Sequence, residues 1–303
     1  MLRYGTRIAA ALGAWLRPAP TISTALWLAV LGRYPFLASL DRNEQERLRA
    51  LSIEFLRRKE FTGTHGLVIT DNIALTIAAQ ACLPLLHWGD PHRALTWYDD
   101  FFGIVVHPTE VVAQRETTDS IGIVHHYREI LHGEAMQGGP VMLTWPAIQQ
   151  AGQKSFEDVI YSAHSVVIHE FVHKIDMRNS TANGNPLLPA GFMGTTNRHA
   201  AQHLWQTTWN TAWHSFCDQV TVAERFGGSW PWLDSYGATS PAEFFAVTCE
   251  AWFVDNDRFV TEFPILAPLL KEFFHPEDTD SREPLKTSRS CPIAHEQARQ
   301  FPS

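Results

Sequence analysis

The amino-acid pattern predicts an α+β fold with a mainly antiparallel sheet beside one buried helix. Three observations carry the expectation. Two helical runs come first, over residues 41–60 and 73–83. Three short β-branched runs follow, over 103–108, 121–125 and 140–145. A run free of Gly and Pro, rich in apolar residues, then covers 155–177. Helices and strands grouped in blocks, rather than alternating one by one, point to α+β. Strands close in sequence pair most readily as antiparallel neighbours.

Each element has its own signal. Asp41 is placed to cap the first helix, and Leu48, Leu51, Ile53, Phe55 and Leu56 recur along it. Thr70-Asp71-Asn72 opens the second helix and Pro84 follows it. Both helices read as core packing. Among the strands, Gly103-Ile104-Val105-Val106-His107 is stopped by Pro108, and Val141-Met142-Leu143-Thr144 lies between Pro140 and Pro146. In the third helical run, Val166, Val167, Ile168, Phe171, Val172 and Ile175 recur at three- and four-residue spacings. Its Val and Ile lower helix propensity, so burial must stabilise it. Residues 178–199 are punctuated by Asn183, Gly184, Pro186, Pro189 and Gly191. They read as a long loop, either shaping a cleft or inserted without order. Helical character returns over 205–222. Ser240-Pro241-Ala242-Glu243 opens a further helix through Val254, with Pro at its first position. From Asp278 the chain is polar and aperiodic, which reads as a mobile tail.

The 303 residues allow one large domain or two small ones, and 45% hydrophobic content fits a sizeable core. The expected division is an N-terminal segment over 1–24, one domain over 25–277 and the tail over 278–303. A net charge of -8 argues against direct nucleic-acid binding across a broad surface. Cys82, Cys217, Cys249 and Cys291 are scattered without Cys-x-x-Cys spacing, as buried thiols in a reducing compartment are. Arg3 and Arg7 precede a short apolar run, but no small-x-small cleavage site follows. That run and residues 25–31 are too short to span a bilayer. The expectation is a cytoplasmic protein with no transmembrane segment.

The chemistry is concentrated in His169-Glu170-Phe171-Val172-His173. Residues four apart on a helix share a face, with Cβ atoms about 5–6 Å apart. Two imidazoles so placed can grip one Zn²⁺, and the intervening Glu can act on a water at the metal. A buried helix that carries two His and a Glu on one face needs a partner for them, because unpaired buried polar groups are costly. A catalytic zinc takes three protein ligands and leaves a position open. Asp176 continues the helix face but is short, and suits support of His173 or capping of the next turn better. Glu243 competes with a simpler role, since Ser240 and Glu243 have capping-box spacing. Spacing leaves that choice open. Glu250 lies seven residues after Glu243 on the same face, placed to support the site from behind. His164 and His199 fit core or surface roles better than ligation.

The extended motif 169–176, Tyr236 and Ser240-Pro241-Ala242-Glu243-Phe244-Phe245 resembles the Mlc titration factor A family of zinc-dependent peptidases. Similar segments occur at 33–37, 77–82, 97–100, Gly133-Glu134-Ala135 and 139–141, so the resemblance covers roughly residues 25–275. It implies a zincin-like metallopeptidase domain with Zn²⁺ on His169, His173 and Glu243, and places Tyr236 at the active site. The expected activity is hydrolysis of peptide bonds through a zinc-bound water, with Glu170 as general base and Tyr236 as oxyanion donor. Strand 141–144 is a candidate to pair with an extended peptide. Endopeptidase and aminopeptidase action both stay open, on a peptide or protein substrate. The resemblance also implies an alternative: a regulatory protein that sequesters a transcriptional repressor, with secondary peptidase activity. The chain departs from the family pattern in a longer segment between His173 and Glu243 and in the tail after residue 277.

Overall fold

The computed structural model describes residues 22–118, 124–152, 164–179 and 181–276. The expectations for residues 1–21, for 121–123 of the second strand run, for the 153–163 part of the third helical run, and for Cys291 and the tail lie outside them. Helix α1 (Thr24–Arg33) leads through a short turn into α2 (Arg42–Arg58). Asp41 caps α2 in a full capping box with Glu44. Strand β1 (Glu60–Gly63) follows, then α3 (Asp71–Cys82), capped by Thr70. Strands β2 (Gly103–His107), β3 (Val111–Thr118), β4 (Val124–Leu131), β5 (Gly133–Ala135) and β6 (Val141–Thr144) come next. Helix α4 (Val166–Asp176) carries the His-Glu-x-x-His motif and starts at Ser165, whose hydroxyl accepts the Ile168 N–H. The chain closes with α5 (Arg198–Phe226), α6 (Pro241–Val254), α7 (Asn256–Glu262) and α8 (Ala267–Phe274). None of these helices is long and apolar enough to cross a membrane.

The protein is α+β and rich in helix, but its sheet is mixed rather than mainly antiparallel. Four strands lie in the order β1-β2-β6-β5. The pairs β1/β2 and β2/β6 are parallel, and only β5/β6 is antiparallel. Strands β3 and β4 form a separate antiparallel ribbon. The physical reason is path length. Helix α3 fills the connection from β1 to β2, and the β3–β4 ribbon with β5 fills that from β2 to β6. Both excursions are long enough to bring the chain back to the same end of the sheet, which a parallel pair requires. Strand β6 is therefore paired on both sides and has no edge to offer a peptide, contrary to the expectation for 141–144. The edge beside α4 belongs to β5.

Helix α4 packs against α6, α3 and β5. Phe171 is fully buried, with ring centroids 5.6 Å from Phe55, 5.0 Å from Tyr98 and 5.8 Å from Phe101. The loop after α4 is held in place among its described residues. Asp176 accepts the backbone N–H groups of Asn183, Gly184 and Asn185 at 2.6, 2.7 and 3.1 Å. Trp205 Nε1 donates to the Gly184 carbonyl at 2.8 Å. Gly184 has φ +74, and a Cβ there would lie 2.6 Å from the Pro241 carbonyl oxygen, so only glycine fits. Helix α5 begins at Arg198, earlier than the helical pattern from 205 suggests, because Asn197 caps it. Truncating Phe171 to Ala should cost about 3–5 kcal/mol of stability, the range for a buried aromatic. Chemical denaturation of the two proteins measures it.

Candidate metal centre

Helix α4 presents two neighbouring stripes. His169 and His173 form one, four residues apart; Glu170 and Lys174 form the next. Helix α6 brings Glu243 in its first turn to the first stripe. Three atoms converge there: His169 Nε2 and Glu243 Oε2 are 3.0 Å apart, His173 Nε2 and Glu243 Oε2 3.2 Å, and the two Nε2 atoms 3.1 Å. The capping alternative for Glu243 is half made. Ser240 Oγ accepts the Glu243 N–H at 3.2 Å, while the Glu243 carboxylate faces the imidazoles.

The protonation pattern tests whether a cation fits. His169 Nδ1 lies 2.6 Å from Glu250 Oε1. A carboxylate accepts, so Nδ1 carries the proton and Nε2 of the neutral ring offers a lone pair. With that ring neutral, the triangle presents three electron-pair donors at hydrogen-bond distance, which a shared proton or a cation can bridge. A tetrahedral ion with bonds of about 2.0–2.1 Å would need ligand separations of about 3.3–3.4 Å. The observed edges are close to that, and the donor set of two imidazoles and a carboxylate suits a borderline divalent metal. Electrostatics agree. Burial opposes charge on His169, yet the Glu250 and Glu243 carboxylates hold its pKa well above the ordinary value. Burial also opposes charge on Glu243, and the two imidazoles hold it well below the usual carboxylate range. The carboxylates that stabilise a positive charge on His169 would stabilise a metal cation in the same place.

Glu250 is the supporting residue behind His169. Its second oxygen accepts the Ser165 N–H at 2.7 Å, which ties it to the start of α4. His164 lies 3.7 Å from Glu250 and 3.6 Å from Asp234, closer to the site than the sequence suggests. Asp176 is not among the three converging donors and makes no hydrogen bond to His173 among the described residues, although the two lie close enough to interact through charge. Its carboxylate is taken up by the loop, and His173 Nδ1 is buried without a partner among the described residues. His199 is exposed at the start of α5 and does not line the site.

The triangle opens into a cavity of about 730 Å³. Glu170, Tyr236, His164 and the β5 strand line it. Glu170 is buried, and burial raises its pKa against the pull of both imidazoles. The Tyr236 ring lies 6.3 Å from that of His169 and is partly exposed to the cavity. Asp234, which caps the turn that carries Tyr236, has no sequence signal beyond its position two residues ahead. Strand β5 falls within the family resemblance, but its residue types alone assign it no role.

The model of the family described as glucose-regulated metallo-peptidase M90 matches residues 13–275. A protein named Mlc titration factor A from Klebsiella pneumoniae (strain 342) is 33% identical over 268 residues, covering 88% of this chain and 90% of that protein. A protein of the same name from Salmonella arizonae is 33% identical over 241 residues, covering 79% and 86%.

Replacing Glu250 with Ala should weaken metal binding about 10- to 100-fold, the usual effect of removing the carboxylate behind a ligating imidazole. Replacing Glu243 with Ala removes a donor outright and should weaken it further. Competition with a chelator of known affinity ranks the two variants against the parent.

Proposed function

The chain belongs to the glucose-regulated metallo-peptidase M90 family, and on that premise we propose that it is a zinc-dependent peptidase with a zincin-like site. The observation that carries this reading is the triangle of His169, His173 and Glu243 opening on a cavity beside Glu170. Zn²⁺ held by those three residues would supply the Lewis acidity that polarises a scissile carbonyl and acidifies water.

The chain's own groups do the rest. Glu170 takes a proton from the attacking water and returns it to the leaving amine. Tyr236 lines the cavity beside His169 and donates its hydroxyl to the developing oxyanion. The substrate is a peptide or protein laid along β5, whose outer edge has no strand partner among the described residues. Residues 25–277 form the peptidase domain, between the 1–24 segment and the 278–303 tail, and the protein acts in the cytoplasm.

The relatives' name favours a second reading, in which the chain binds a repressor protein and peptide cleavage is secondary. Retention of Glu170 at the site supports chemistry, because a surface that only binds needs no buried general base.

Glu170→Gln should keep its metal and lose turnover of a peptide panel by about 10²–10⁴-fold, the scale of general acid–base catalysis. Equal turnover in both proteins would remove Glu170 from its role, and absence of stoichiometric zinc in the parent would remove the metal reading. Tyr236→Phe should lower kcat by about 10²–10³-fold with KM little changed, as loss of one oxyanion donor does. Capture of a repressor that survives Glu170→Gln would establish a separable binding role.

A further inference from the structure

Strand β5 is held against helix α4 at two points, both on the stripe next to the metal-facing one. The first is Gly133. A Cβ on this residue would lie 2.6 Å from Glu170 Oε1, 2.7 Å from Glu170 Cγ and 2.8 Å from Val166 Cγ2. All three are side-chain atoms, so a larger residue would displace the Glu170 side chain and press on Val166. The second is Lys174, one helical turn further on. Its buried ammonium donates to the carbonyls of Met136 and Gly139 at 2.5 and 2.9 Å and to Asp100 Oδ2 at 3.3 Å, and sits 4.5 Å from the Phe101 ring centre. Met136 and Gly139 belong to the turn that joins β5 to β6. The motif helix thus fixes both the edge strand and the turn beyond it.

We propose that Gly133 and Lys174 are positioning residues with separate roles. Gly133 leaves room for the Glu170 carboxylate in its working position, and Lys174 fixes the β5 edge along which the peptide lies. The proposal rests on the peptidase reading for its kinetic half and on the fold alone for its structural half. An ångström-scale displacement of a catalytic group costs about 10²-fold in rate. A loosened binding edge weakens substrate binding instead, which raises KM at constant kcat.

The test uses the full-length, zinc-loaded protein and the peptide it cuts fastest. Gly133→Ala should lower kcat about 100-fold, with zinc content kept and KM within about twofold. Lys174→Met should raise KM about tenfold, with kcat within about threefold. Amide hydrogen exchange over 133–139 should quicken about tenfold in Lys174→Met and stay near the parent rate in Gly133→Ala. Lys174→Gln keeps an N–H donor and should fall between Lys174→Met and the parent; it also serves if the Met variant does not fold. Full kcat in Gly133→Ala, unchanged exchange in the Lys174 variants, or the same kinetic change in both would overturn the proposal. If the parent cuts no peptide, the peptidase reading fails, while the exchange rates still decide whether Lys174 holds the strand.

Discussion

Everything at this centre depends on holding three electron-pair donors within about 3 Å of one another in a protein interior. With neither a proton nor a cation between them, lone pairs at that distance repel, and burial magnifies the repulsion. The surrounding chain must supply rigidity before a cation can reward the arrangement. Two helices provide it, and they meet through apolar faces that were specified for packing. Phe171 anchors α4 among Phe55, Tyr98 and Phe101, and Phe244 and Phe245 of α6 are fully buried. The polar stripe of α4 can then be dedicated to chemistry, because its other faces secure the helix.

The polar links between the helices act differently, by fixing angle and register. Glu250 bridges His169 and the Ser165 N–H, so one carboxylate sets both the ring orientation and the start of the motif helix. At the other end of α4, Asp176 gathers three consecutive N–H groups of the following loop. That grip seats Gly184 under the Pro241 carbonyl, in the first turn of the helix that carries Glu243. Asp176, on the same helix as the two imidazoles, thereby helps to position the turn that carries Glu243. The described residues of the long loop are held for the same reason, since their anchor comes from outside the loop.

How much of this was legible follows from where each constraint resides. The helix starts at Asp41, Thr70 and Ser240 are local, set by a side chain and an N–H three residues on, and the sequence pattern locates them; the start at Ser165 is of the same kind but lies inside a run that reads as continuous from 155. The His-Glu-x-x-His stripe is also local. Strand direction is not, because Val141–Thr144 looks the same whether its neighbours run parallel or antiparallel. Strands β1 and β5 are too short for periodicity to register. The orientation of the Glu243 carboxylate could not be read from Ser-x-x-Glu spacing, which serves capping and ligation alike. Gly133 carries no signal of its own, since the space it leaves is defined by Glu170 on another element.

A working metal centre and a purely structural one differ in how fully the protein encloses the ion. A metal that only staples a fold is enclosed by four protein ligands, commonly Cys, whereas a catalytic metal keeps a position free. Here three donors come from two helices that already pack well without an ion, so little folding energy depends on a metal. The remaining side of the triangle faces a cavity rather than a fourth side chain. Glu170 adds to this. Burying a carboxyl costs stability unless it is paired, and its raised pKa records that cost. The fold offsets part of that cost by packing, since Gly133 leaves beside the Glu170 carboxyl the space that a side chain would fill.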